Sequence, residues 1–92
     1  MFSFDLSDDI KKKLKKLDKK DPVFCEAINK KIKEIINNDD KTIDRYKNLR
    51  YDLAGNKRVH VYKSFVLTFI VRKDINFIYF EKIDHHDNIY KR

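Results

Sequence analysis

The stretch FVLTFIV, residues 65–71, is followed by the charged segment RKD and then by INFIYFEKI, residues 75–83. The first segment is almost wholly apolar, which is typical of a strand at the centre of a sheet. The charged segment, residues 72–74, breaks this pattern and indicates a turn. We therefore predict two neighbouring strands here, the first of them central, which the rest of the chain has to cover.

The residues before this stretch predict further strands of an antiparallel meander. In KRVHVY, residues 57–62, successive side chains lie on opposite faces of a strand. Residues 49–53 alternate in the same way and precede Gly55, the only glycine of the chain, which marks a turn. In the strand at 57–62 the valines form one face, and the other face carries Arg58, His60 and Tyr62.

The N-terminal half predicts a short strand followed by two amphipathic helices. Residues 1–7, MFSFDLS, alternate as a strand, and Ser7 or Asp8 can then cap a helix. Asp21 followed by Pro22 is typical of the start of a second helix. Each helix has one apolar stripe, formed by Ile10, Leu14 and Leu17 in the first and by Phe24, Ala27, Ile28, Ile32, Ile35 and Ile36 in the second.

These elements predict an α+β fold with the order βααβββ or βααββββ. Two helices joined by a short turn form an antiparallel hairpin, and a sheet needs such a layer to cover one of its faces. We predict a single domain over residues 1–92, in which the short N-terminal strand and the helical hairpin pack on one face of an antiparallel sheet. The other face is left available for binding.

The composition favours an anionic partner and a reducing compartment. The 92 residues carry 22 Lys and Arg against 15 Asp and Glu, a net charge of +7, which suits nucleic acid, an acidic protein or a membrane surface. The lone Cys25 forms no internal disulfide, which fits the cytoplasm. No apolar run approaches the roughly 20 residues that span a bilayer, so we expect no membrane segment.

The last predicted strand leads into DHHDNIY, residues 84–90, which holds two of the three histidines. Adjacent residues at a strand end point to opposite sides, and a closed metal site usually takes ligands from more than one segment. We therefore assign no metal to His85 and His86. Histidine transfers protons near neutral pH, so the residues alone leave both a proton-transfer role and a solvated loop open.

Together these motifs resemble the RelE/ParE toxin superfamily over essentially the whole chain. The resemblance runs through YKNLRYDLAGNKRVHVYKSFVLTF, residues 46–69, and through FIYFEKIDHH, residues 77–86, with its Ile-Tyr ending. The matching elements, in order along the chain, are Lys47, Leu49, Gly55, Arg58, His60, His85-His86 and Ile89-Tyr90. The resemblance implies a toxin that is neutralised by an antitoxin. RelE-like members cut messenger RNA in the ribosomal A site, whereas ParE-like members poison DNA gyrase.

Metal-free RNA cleavage uses the ribose 2′-hydroxyl as nucleophile, so it needs a proton acceptor, a proton donor and a cation at the phosphate. No cofactor is then expected. Arginine suits the phosphate because its guanidinium pairs with two oxygens. The resemblance implies catalytic roles for Arg58, His60, His86 and Tyr90. We expect further RNA contacts from Lys47, Arg50, Lys57, Lys63 and His85.

The sequence departs from the RelE pattern at Val66, where that pattern usually has an arginine. Lys63 or Arg50 would have to replace this phosphate-binding cation. The departure keeps two alternatives open, a ParE-like toxin that acts on gyrase and a basic RNA-binding module without catalysis. For the RelE-like reading, the implied partners are a RelB-like antitoxin, in a heterodimer or heterotetramer, and the ribosome with its messenger RNA.

Overall fold

The computed structural model describes residues 1–49 and 55–89. These residues form β1 (Ser3–Leu6), α1 (Asp8–Lys20), α2 (Pro22–Ile36), β2 (Asn56–His60), β3 (Phe65–Arg72), β4 (Phe77–His85) and α3 (His86–Ile89). Short 3-10 turns occupy Thr42–Arg45 and Lys73–Ile75. The α+β class is confirmed. Across the described residues, every helix is too short or too polar to cross a membrane.

The sheet has four strands in the order β1-β4-β3-β2. β3 lies inside the sheet and runs antiparallel to both neighbours, as its apolar sequence predicts. β1, however, pairs with β4 in parallel, with Ser3 opposite Phe77. We predicted the N-terminal strand on one face of an antiparallel sheet, whereas β1 is an edge strand within the sheet and makes it mixed. A parallel pair needs a long crossover connection, and the helical hairpin together with β2 and β3 supplies it.

The core lies between the helical hairpin and one face of the sheet. Its fully buried members are Ile10, Ile28, Ile35, Ile43, Leu67, Phe69, Ile78 and Phe80. The predicted helix starts are confirmed, because Ser7 Oγ accepts from the Ile10 amide at 3.2 Å and Asp21 Oδ1 from the Phe24 amide at 3.1 Å. Cys25 is buried on α2, and burial raises the pKa of its thiol, which suits a packing role.

A β-bulge between β3 and β4 decides which side chains of β4 face away from the helices. Phe69 lies opposite Phe80, but the preceding residue of β3, Thr68, lies opposite Lys82. Glu81 is therefore the extra residue of the bulge. Phe80 and Ile83, three positions apart, both belong to the core, and Lys82 faces the other side.

We call the sheet face opposite the helical hairpin the open face. The strand register places on it Asn56, Arg58 and His60 of β2, Val66, Thr68 and Ile70 of β3, and Phe77, Tyr79, Lys82 and Asp84 of β4. Lys57 and Val59 point to the helix side instead, opposite Phe69 and Leu67. The predicted division of residues 57–60 between two faces is confirmed.

The same prediction is wrong for Tyr62, which lies on the helix side. Its ring stacks on Phe24, with 5.0 Å between centroids. The cause is that β2 ends at His60 and a turn follows. In this turn Lys63 has a left-handed φ of 50°, and the Val61 amide donates to the Phe65 carbonyl oxygen at 3.1 Å. Strand alternation therefore stops before Tyr62.

The outer edge of β2 is paired with residues 47–49. The Arg58 amide donates to the Lys47 carbonyl oxygen at 3.0 Å, and the Leu49 amide donates to that of Asn56 at 2.7 Å. Most of the strand predicted at residues 49–53 lies outside the described residues. Gly55 follows with a φ of 93°, and a Cβ there would approach the Val71 carbonyl oxygen to 3.2 Å. Only glycine fits this turn without strain.

The edge of β4 is covered differently along its length. β1 pairs with residues Phe77–Phe80 and then ends. Beyond it, Ser7 Oγ donates to the Glu81 carbonyl oxygen at 2.7 Å. Lys13 Nζ, from α1, donates to the Ile83 carbonyl oxygen. Side chains therefore replace the missing strand.

Candidate functional site

The structure brings His60 and His86 together on the open face. Their rings are nearly parallel, 19° apart, with 5.6 Å between centroids. β4 is not adjacent to β2, so the contact depends on the turn at the start of α3. The His86 amide donates to the Ser64 carbonyl oxygen at 2.6 Å, which directs the chain back over the end of β3 and toward His60.

Arg58 lies beside this pair on the same strand face as His60. It faces Thr68 of β3, whereas His60 faces Val66. Two residues along a strand are separated by roughly 6.7 Å, so an ion bound at Arg58 lies within reach of His60. The side chain of Arg58 is half-buried, and its Nε atom is buried. Burial weakens the screening of its charge by solvent.

Val66 forms the floor of this site. It is fully buried although it is not part of the core cluster between helices and sheet. In the register it lies between His60 on one side and Asp84 on the other, and α3 packs against its strand. The position that carries arginine in the RelE pattern is thus a closed apolar position here.

His85 points away from the site, as predicted for adjacent residues at a strand end. Its ring meets the edge of Phe65 at 5.8 Å, on the side of the helices. The Asp87 amide donates to His85 Nδ1 at 3.2 Å. The structure therefore does not bring His85 to the pair of His60 and His86.

Lys57 is also not brought to the site. It is 5% exposed, and its Nζ donates to the Tyr46 carbonyl oxygen and to Asn48 Oδ1, each at 3.1 Å. Asp44 lies 3.6 Å from the same ammonium. These oxygens hold the Lys57 charge inside the protein, on the face opposite Arg58.

The remaining predicted RNA contacts lie at the edges of the molecule or outside the described residues. Lys47 is exposed at the outer edge of β2, and Lys63 is exposed at the turn between β2 and β3. Lys63 Nζ lies 5.2 Å from the centre of the Tyr62 ring. Arg50 and Tyr90 lie outside the described residues.

Two charged groups near the histidines were given no role in the sequence prediction. Asp87 Oδ1 is 3.7 Å from His86 Nδ1. Asp84 lies on the open face, and the pKa of its carboxyl is lowered by a hydrogen bond from Asn88 Nδ2, by the His85 amide and by nearby lysines. Asp84 is therefore anionic at neutral pH. Among the described residues, no group of three or more His, Cys, Asp or Glu side chains could hold a metal ion.

Lys82 is a third charged residue that the sequence did not assign. It is exposed on the open face opposite Thr68, in the same row as Arg58. We call Arg58, His60, Lys82 and His86 the basic half of this face. The sequence signal for Lys82 is the three-residue spacing from Phe80 to Ile83, which requires a bulge if both residues are to reach the core.

The chain is similar to two archaeal proteins over nearly its whole length. It is 44% identical over 92 residues to a protein of Methanocaldococcus jannaschii named "Putative toxin RelE4", covering all of this chain and 94% of that protein. It is 37% identical over 90 residues to an uncharacterized protein of Methanosarcina mazei, covering 98% of this chain and all of that protein. No family model and no solved structure matches the chain.

Proposed function

The chain belongs to the RelE toxin family, and from this premise we propose that it is the toxin of a type II toxin–antitoxin pair in the cytoplasm. We propose further that it is a ribosome-dependent endoribonuclease that cuts messenger RNA in the A site and so inhibits translation. The single observation that supports the cleavage activity is the stacked pair of His60 and His86 beside Arg58 on the open face.

The reaction that suits these residues needs no cofactor. The ribose 2′-oxygen attacks the adjacent phosphorus and gives up its proton to a base. As the new O–P bond forms, the bond from phosphorus to the 5′-oxygen breaks, and an acid protonates the leaving oxygen. The products are a 2′,3′-cyclic phosphate and a 5′-hydroxyl. Negative charge grows on the phosphate during the attack, so a fixed cation there lowers the barrier.

His60 and His86 fit the two proton-transfer roles because each imidazole can accept or donate a proton. They come from different elements and meet across the end of β3, so both can reach one phosphate. Arg58 fits the third role, since a guanidinium binds two phosphate oxygens and stays charged. We assign Tyr90 to the same site on the family resemblance alone. Lys47, Lys63 and Arg50 are assigned to more distant RNA contacts.

The antitoxin in this proposal is a RelB-like protein that binds the toxin as a heterodimer or heterotetramer. An acidic segment of it would neutralise the basic half of the open face, and the net charge of +7 favours such a partner. Bound there, it would keep Arg58 from the phosphate. Toxicity would then appear only when the antitoxin is removed.

The test is cleavage of messenger RNA by antitoxin-free protein on programmed ribosomes. We expect a cut within the A-site codon. A messenger with a 2′-deoxyribose at the cut position should resist, because it lacks the nucleophile. A cut that persists at the deoxy position, or the absence of any cut of the normal messenger, would contradict the proposal.

One observation favours a second function. The closed apolar position of Val66 removes a cation that the RelE pattern uses at the phosphate, so a ParE-like action on DNA gyrase is the alternative. Gyrase-dependent DNA breaks without messenger cleavage would establish it. If the protein causes neither DNA breaks nor messenger cleavage but binds RNA in a way that weakens with salt, it is a non-catalytic RNA-binding protein.

A further inference from the structure

The open face has an apolar half beside its basic half. Ile70, Phe77 and Tyr79 lie on it, and all three are half-buried and stand outside the core cluster. Ile70 and Tyr79 are directly opposite each other on β3 and β4. Among the described aromatic residues, Phe77 and Tyr79 are those that the register places on this face.

Core packing does not account for these side chains. The other tyrosines of the described residues lie on the helix side, Tyr46 inside the core and Tyr62 stacked on Phe24. Tyr79 contacts no other aromatic ring and makes no side-chain hydrogen bond among the described residues. Because Tyr79 is only half-buried, part of its side chain is accessible to a ligand.

The register places Tyr79 next to the basic half. The row Asn56–Ile70–Tyr79 adjoins the row Arg58–Thr68–Lys82 across the sheet. A row step is roughly 6.7 Å and a strand step roughly 4.8 Å, so the backbones at Arg58 and Tyr79 lie about 12 Å apart. Both side chains are long enough to shorten this gap, and Lys82 lies on the strand of Tyr79 in the row of Arg58.

We infer that Tyr79, supported by Ile70 and Phe77, is a stacking site for a base of single-stranded RNA, next to the phosphate held by Arg58. The inference rests on the proposed function and names a subsite for its substrate. Single-stranded RNA is recognised by aromatic side chains on a sheet face with cations along the backbone, and the open face offers this combination. Asp5 lies opposite Tyr79 on β1, and Lys11, 3.8 Å from its carboxylate, offsets its charge.

The experiment measures binding of a fluorescein-labelled hexaribonucleotide whose 2′-hydroxyls are all methylated, so that it keeps the ribose and is not cut. Tyr79→Leu keeps apolar volume and removes the stacking face, whereas Tyr79→Phe keeps the ring. Stacking of one base is worth about 1–3 kcal/mol, so we expect Tyr79→Leu to weaken binding roughly 5- to 100-fold. Tyr79→Phe should change it less than about twofold. Equal melting temperatures establish that both variants are folded.

A matched control is Phe4→Leu, which removes an exposed ring on β1 that packs edge-on against Phe80. It should leave RNA binding unchanged. A second set of oligonucleotides lacks one base at a time. For one position of the missing base, the parent should bind the abasic oligonucleotide as weakly as Tyr79→Leu binds the intact one. Loss of this base and Tyr79→Leu should then not have additive effects on binding.

Several results would overturn the inference. It fails if the parent does not bind the hexanucleotide at low salt, or if Tyr79→Leu binds it with the affinity of the parent. It also fails if the effects of Tyr79→Leu and of a missing base on the binding free energy add at every position. Loss of antitoxin binding alone in Tyr79→Leu would also overturn it, because the apolar half would then be a protein contact. If Tyr79-dependent binding is found without messenger cleavage, the stacking site stands and the proposed nuclease fails. If cleavage requires Arg58 but not Tyr79, the proposed nuclease stands and the stacking site fails.

Discussion

Two successive residues of β2 carry positive charge on opposite faces of the sheet. On the helix side, Lys57 is buried and its ammonium binds Tyr46 and Asn48 oxygens close to Asp44. On the open face, Arg58 lies beside His60, whose ring stacks on His86. The comparison shows that the surroundings of a cation, more than its charge, decide its role. One charge serves the fold and the other, in our proposal, the substrate.

The largest effect that would sharpen this comparison is expected at His86. We predict that His86→Ala lowers the rate of messenger cleavage by about 10²- to 10⁴-fold, because a proton-transfer group is lost. His85→Ala should stay within about tenfold, because that ring faces Phe65 on the helix side. Single-turnover cleavage on programmed ribosomes measures both. Parental rates for both variants would reduce the histidine cluster to a solvated loop.

Arg58→Ala should lower cleavage by about 10²- to 10³-fold, since a preorganised charge at the phosphate is removed. Its free energy of unfolding should change by less than about 1 kcal/mol, because the residue lies outside the core. Urea unfolding and cleavage, measured on one preparation, separate the two effects. A variant that is folded and fully active would remove Arg58 from the site.

The reverse pattern is expected for Lys57→Met. It should lower the free energy of unfolding by about 2 kcal/mol, because the Tyr46 carbonyl and Asn48 lose their donor inside the protein. Cleavage by the remaining folded protein should stay within a few-fold of the parent. A stable variant that no longer cleaves would instead make Lys57 part of the site, and the contrast between the faces would fail.

The smallest effect concerns pH and the helix side. The pKa of Glu34 is lowered, chiefly by a hydrogen bond from the Tyr46 hydroxyl and also by Lys31 and Arg45. This contribution to stability is present above its ordinary pKa of 4.5 and is lost as pH falls through the lower pKa of the folded state. Glu34 is partly exposed, so the loss should stay below about 1 kcal/mol.

Tyr46→Phe tests this pH effect directly. The variant should be less stable than the parent at pH 7, and the difference should shrink as pH falls through the lowered pKa of Glu34, because protonation removes the carboxylate that the hydroxyl stabilises. Thermal unfolding across this range measures it. A difference that stays constant with pH would show that the hydroxyl acts through another partner.

The helix side was largely predictable from sequence because its signals are local. Apolar spacing fixed the helices, and Ser7 and Asp21 fixed their starts. Strand alternation puts Lys57 on the same face as Val59, but we expected an RNA contact from Lys57 because of its charge. The oxygens that hold Lys57 come from residues 44–48, and no local pattern reveals that they fold against β2.

The open face was less predictable because it depends on pairing between distant residues. If alternation continued unbroken from Ile78 and Phe80, then Lys82 and Asp84 would face the helices. The bulge at Glu81 reverses this, and it carries His86 to the side of His60. The parallel pairing of β1 with β4 likewise depends on a contact between the two ends of the chain. The sequence could therefore assign His60 and His86 to one site through the family resemblance, but the bulge that lets their rings meet has no local signal strong enough to predict the contact itself.

The cover on β4 beyond the end of β1 has a consequence for self-association. An uncovered strand edge is a template on which another copy can add a strand. Here the Ser7 hydroxyl and the Lys13 ammonium occupy the carbonyl oxygens of Glu81 and Ile83, and an incoming copy would first have to displace them. A second copy of the protein is therefore hindered from adding a strand along this part of the edge.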